Sequence, residues 1–134
     1  MHNGQLTIKE QIRKANLIDF MKNNIIVEKT MNFAVRIVNL YKYLIKEKGE
    51  FVMSKQLLRS GTSVGANVRE ATEGQSKADF VNKMNIALKE AVETEYWLEL
   101  LHKTKYLTEK QYTGINADCS EIAKILTSIV KNSK

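Results

Sequence analysis

Few side chains in this chain are of a type and spacing that could do chemistry. Glu99-Leu-Leu-His102 sets a carboxylate and an imidazole three residues apart on one helix face, the pairing with which carboxylate-bridged di-metal bundles hold their ions. Such a centre needs two pairs and carboxylates from two further helices, and this chain carries one pair. His102 can also be read as a phosphoacceptor, or as a solvated cation suited to the last turn of a helix by the helix dipole. The last reading asks least of the neighbours, which include Lys103 and Lys105. Ser60 and Ser63 lie one helical turn apart with no histidine near them in sequence to serve as base. Glu90, Glu93, Glu95 and Glu99 share one helix, but their spacing spreads them around it, so they read as solvated groups or as partners for basic side chains. There is no glycine-rich phosphate loop, no Cys-His metal spacing and no nucleophile elbow. The residues therefore predict no catalytic group, no metal and no cofactor.

Charge says more when it is divided along the chain. Residues 1–60 carry 11 Lys and Arg against 5 Asp and Glu, while residues 61–134 carry 10 against 10. The whole excess of +6 sits in the first 60 residues, the side a polyanion would approach. The single cysteine, Cys119, has no internal partner and lies among core-type residues, which predicts a buried thiol in a reducing, cytoplasmic setting. The opening MHNGQLTIKEQIRK lacks an apolar stretch of signal-peptide length, and no run approaches the roughly 20 apolar residues of a membrane span. No membrane partner is expected.

The elements that must position these residues are all helical. A chain of 134 residues fits one domain, and with no proline and 6 glycines almost nothing but capping chemistry stops a helix. The expected architecture is an antiparallel, up-and-down four-helix bundle over residues 25–134, preceded by an extension over residues 1–24. In that extension, Thr7-Ile-Lys-Glu10 is a capping box and Ile8, Ile12 and Ala15 recur at helical spacing, which predicts a short extra helix. Asn23-Asn24 should end it, with Ile25, Ile26 and Val27 as an apolar connector.

The first bundle helix is expected from about Thr30 to Lys48, with Phe33, Ile37, Leu40 and Leu44 on one stripe and Ala34, Val38, Tyr41 and Ile45 beside it; Gly49 supplies the exit. The second runs from about Phe51 to Glu73 and aligns Leu57, Gly61, Val64 and Val68. Glycines inside a helix cost about 1 kcal/mol each relative to alanine, so Gly61 and Gly65 predict close approach of a neighbouring helix. The third starts at the box Ser76-Lys-Ala-Asp79, runs to about Lys103 and aligns Phe80, Met84, Leu88, Ala91 and Leu98. Outside that stripe lie Val92, Tyr96 and Trp97, surplus apolar surface of the kind that marks an oligomer interface. The fourth begins at Thr108-Glu-Lys-Gln111 and repeats Ile115, Cys119, Ile122, Leu126 and Ile129 at alternating four and three.

Three strings, "FAVRIVNLYKYL", "SKQLLRSGTSVGANVREA" and "KADFVNKMNIALKEAVETEYWLELL", follow one another with short connectors. In that order they resemble the small bacterial four-helix-bundle proteins related to the protein encoded in intervening sequences of 23S rRNA genes, often labelled S23 ribosomal proteins. The middle string is the most specific, being similar to the family pattern Arg-Ser-x-x-Ser-hydrophobic-x-x-Asn-hydrophobic-x-Glu. It is met here by Arg59, Ser60, Ser63, Val64, Asn67, Val68 and Glu70. The family often has a glycine soon after that glutamate, whereas here Ala71-Thr72-Glu73 intervenes before Gly74. The resemblance implies a bundle that assembles as a ring, commonly a homopentamer, and is similar to accessory proteins of diversity-generating retroelements that bind nucleic acid and a reverse transcriptase. It implies no catalytic residue and leaves residues 1–24 outside the shared pattern. Ser60, Ser63, Asn67 and Glu70 are expected to be structural.

These observations lead to one functional expectation and one rival. The leading expectation is a non-enzymatic oligomeric scaffold that holds RNA or DNA by phosphate contacts through Arg36, Lys42, Lys46, Lys55 and Arg59. The rival is an adaptor whose ligand is another protein, such as nucleic-acid-processing machinery, with no direct nucleic-acid contact.

Overall fold

The computed structural model describes residues 4–74 and 76–133, excepting the side chains of residues 18–22. Within them the chain forms four helices: α1 (Ile8–Glu47), α2 (Met53–Thr72), α3 (Lys77–Lys103) and α4 (Glu109–Asn132). Each packs on its neighbours in sequence and α4 closes back on α1, as short antiparallel connections require. No described helix is long and apolar enough to cross a membrane.

The caps set where helices begin. Thr7 and Glu10 exchange both bonds of a capping box at 2.9 and 3.1 Å, and Thr108 and Gln111 do the same at 2.9 and 3.2 Å. The expected box at Ser76 forms by half: its hydroxyl accepts from the Asp79 N–H at 3.1 Å, but aspartate is one methylene shorter than the glutamate a return bond uses. The second helix starts at Met53 and not at Phe51, because the Glu50 carboxylate takes the N–H groups of Val52, Met53 and Ser54 at 3.0, 2.9 and 2.7 Å. Phe51 and Val52 are left outside it, exposed. Burial would push the Glu50 carboxyl up, but the N–H groups of Met53, Ser54 and Val52 and the Ser54 hydroxyl outweigh it and hold the group below its ordinary value of 4.5.

The extra helix at the N-terminus is present, but it is the first part of α1 and not a separate element. Asn23-Asn24 does not end it. Asparagine costs a helix only about 0.7 kcal/mol against alanine, and neither glycine nor proline is there to turn the chain. Ile26, expected in a connector, is fully buried in the core, and the Thr30 hydroxyl donates to the Ile26 carbonyl at 2.7 Å, one turn inside the helix. The first bundle helix therefore begins at Ile8, far upstream of Thr30, and α1 projects beyond the bundle: Ile8, Ile12, Leu17 and Ile25 are exposed.

Inside the bundle the stripes meet. Phe33, Ile37 and Leu44 of α1, Leu57, Val64 and Val68 of α2, and Ile115, Cys119, Ile122, Leu126 and Ile129 of α4 are buried. On α3 the buried row is Met84, Ala87, Ala91, Thr94, Leu98 and Leu101, so Phe80 and Leu88 sit at its edge and a threonine occupies its middle. Gly61 is where α2 meets α1, since a Cβ there would stand 2.7 Å from Ile37 Cγ1. Gly65 lies against the Thr30 carbonyl, where a Cβ would stand 3.2 Å from the oxygen. Cys119 donates to the Ala91 carbonyl at 3.3 Å, and its thiol is pushed up to about 12, chiefly by burial and then by Glu95 and Asp118.

Candidate nucleic-acid interface

The antiparallel order brings the end of α1, the start of α2, the end of α3 and the start of α4 to one end of the bundle. Exposed Lys42, Lys46, Lys48 and Lys55 come there from the first helix pair, and exposed Lys103, Lys105 and Lys110 from the second. The second group was not legible from the charge division along the chain, because residues 61–134 are balanced overall. At this end Glu47 is exposed and in no ion pair among the described residues, Glu50 is taken up in its cap, Glu99 faces Lys103 at 3.8 Å, and Glu109 faces His102 Nε2 at 2.8 Å. Among the described residues Lys42, Lys46, Lys48, Lys55, Lys105 and Lys110 take part in no ion pair.

Lys105 lies in the turn between α3 and α4 with φ of 68°, left-handed without being glycine. The Tyr106 N–H bonds back to the Leu101 carbonyl at 2.9 Å and the Lys105 N–H to that of His102 at 3.0 Å, the pair of bonds of a Schellman end.

The other two candidate residues for phosphate contact lie elsewhere and are already paired. Arg36 sits on the α1–α4 seam in an ion pair with Asp118. Arg59 reaches from α2 to α3, where it pairs with Glu90 at 3.3 Å and with Glu93. Glu93 also accepts the Trp97 indole N–H at 3.0 Å.

The remaining residues of the middle string continue this α2–α3 clasp. Ser60 is buried and accepts the Thr94 hydroxyl at 2.9 Å, while Thr94 also lies 2.7 Å from the Glu90 carbonyl. The Ser63 hydroxyl donates to the Arg59 carbonyl at 2.7 Å, and Asn67 Nδ2 to the Ser63 carbonyl at 2.8 Å. Glu70 meets Lys83 of α3 at 2.9 Å. Every one of these contacts lies within α2 or between α2 and α3.

His102 is half-buried and stacks on Tyr112 with ring centroids 4.4 Å apart. Burial, then Glu99, Glu95 and Glu109, raise the Tyr112 hydroxyl above its ordinary value. On α3, Val92 and Tyr96 are 55% and 57% exposed, whereas Trp97 packs partly against the core and meets Tyr96 edge to face at 5.0 Å. The predicted interface strip thus divides into two free side chains and one that the bundle shares.

No curated protein matches. A solved structure from Bacteroides thetaiotaomicron, described as a protein with unknown function from the S23 ribosomal protein family, is 65% identical. The match covers 82% of this chain and 98% of that one, with a TM-score of 0.81. The family model for the 23S rRNA-intervening sequence protein matches residues 22–128, and the chain belongs to that family.

Proposed function

We propose that this protein is a non-enzymatic, cytoplasmic, oligomeric scaffold, a ring of five copies in the form the family resemblance implies, that holds RNA or DNA against the lysine-bearing end of the bundle. What carries this reading is the convergence there of exposed lysines from both helix pairs, in excess over Glu47, Glu50, Glu99 and Glu109. Each unpaired ammonium can replace a condensed counterion on a phosphate, and the release of those ions drives binding without reading sequence. A ring repeats the set once per copy and raises avidity through effective concentration. Arg36 and Arg59 contribute less, because a phosphate would have to compete with Asp118 or with Glu90 and Glu93.

Light-scattering mass with and without a structured RNA, at low and high salt, tests the proposal. An oligomer that takes up RNA at low salt and releases it at high salt supports it. An oligomer that ignores RNA and DNA at every salt concentration favours the rival, a protein-interaction adaptor, for which the exposed Val92 and Tyr96 offer a surface.

A further inference from the structure

The projecting part of α1 presents a face of core type without a core. Eighteen residues make five turns of helix, so Ile8, Ile12 and Ala15 lie on the same face as Ile26, Thr30 and Phe33, each eighteen positions further on. The latter three are 0%, 1% and 2% exposed, whereas Ile8 and Ile12 are 77% and 56% exposed. The family match begins at residue 22, so this segment is an addition to the shared bundle.

A groove of about 390 Å³ runs between α1 and α2, floored by Ala34, Gly65 and Ala66 and walled by Val27 and Met31. It spans about 18 Å from Thr62 to Glu73, and the segment Ile8–Leu17 is about 15 Å long at 1.5 Å per residue. The small floor lets a helix come close, and its rim carries Arg69, Glu70, which meets Lys83, and Glu73, which takes part in no ion pair among the described residues. Lys9 and Arg13, one turn apart, flank Ile12; neither takes part in an ion pair among the described residues. Glu10, the nearest opposing charge, is held in the capping box. The segment cannot fill the groove of its own chain, because α1 is one unbroken rod that leads away from it.

We propose that the projecting segment of α1 seats in the α1–α2 groove of a second copy, with Ile8 and Ile12 on the small floor and Arg13 along Glu73. The contact is head-to-tail, the kind that closes into a ring or propagates, and it rests on the oligomeric half of the proposed function.

Full-length Ile12→Cys and Ala66→Cys proteins, mixed under mild oxidation, test it. Both positions are exposed, so neither substitution disturbs the core, and Cys119 is buried with its thiol pushed up to about 12, so it does not compete. The expected result is a disulfide-linked dimer of about 31 kDa, twice the 15.3 kDa chain, in the mixture and not in either variant alone. Arg13→Glu should cut its yield severalfold, and Glu73→Arg on the other chain should restore it. A link formed equally well by Ile12→Cys alone means that the segments pair with each other, and overturns the docking. No link in a protein that light scattering shows to be oligomeric overturns the docking and leaves the scaffold standing; a monomer overturns both.

Discussion

Gly61 and Glu50 show how single residues set the geometry. The Cβ that Gly61 lacks would stand 2.7 Å from Ile37, so the α1–α2 distance is fixed by an absent methyl group. Gly61→Leu should overpack this contact and lower stability by about 3 kcal/mol, measured by thermal or urea unfolding; unchanged unfolding would refute the packing role. Glu50 is 7% exposed and holds the start of α2 by charge-assisted bonds. Its pKa is lower in the folded chain, so its contribution is full above about pH 4.5 and is lost as pH falls through the depressed folded value. Glu50→Gln should therefore cost about 1–2 kcal/mol at pH 7, with the difference from wild type shrinking in unfolding curves below pH 4.5. A pH-independent difference would mean that shape and not charge makes the cap.

At the scale of elements, the turns decide where helices stop and what they present. Gly49 leaves α1 at a φ of 62°, whereas α3 leaves through Lys105 at 68°. A side chain in that conformation costs about 1 kcal/mol, and strain of this kind collects where side chains have work to do. Lys105→Gly should raise stability by about 1 kcal/mol, a few degrees in melting temperature, while weakening RNA binding and lowering the salt slope by about 1 per copy. A more stable protein with unchanged RNA affinity would remove Lys105 from the interface. The seam between α2 and α3 contains Ser60 and Thr94 in a fully satisfied pair, which accounts for a serine at a buried position of the middle string. Family likeness marked Ser60 as structural; the partner, Thr94, lay in a row that hydrophobic pattern on α3 did not trace, since a threonine does not register as apolar.

For the whole molecule, the lysine-bearing end and the α2–α3 clasp make separable claims. Lys46→Glu with Lys55→Glu should weaken RNA binding at low salt and leave unfolding nearly unchanged, because both are exposed and unpaired among the described residues. Arg59→Ala should do the reverse in direction, costing up to about 1 kcal/mol of stability for a half-exposed pair and leaving RNA affinity at fixed salt intact. Should Arg59→Ala abolish binding without touching stability, the clasp is the interface and the end is not. The sequence by itself determined the helical class, both complete capping boxes and the buried rows of α2 and α4, because caps and periodicity act within a few turns of chain and need no partner to be read. Close approach at Gly61 was legible for the same reason: a glycine inside a helix is costly unless a neighbour requires it. Only the tertiary structure decided that α1 is one rod from Ile8, since what carries it past Asn23-Asn24 includes the burial of Ile26 in a core built by other helices. It alone paired Arg59 with Glu90 and Glu93 and gathered lysines from both halves of the chain at one end, because charge acts through space, and a division along the sequence averages together residues that the fold sets apart.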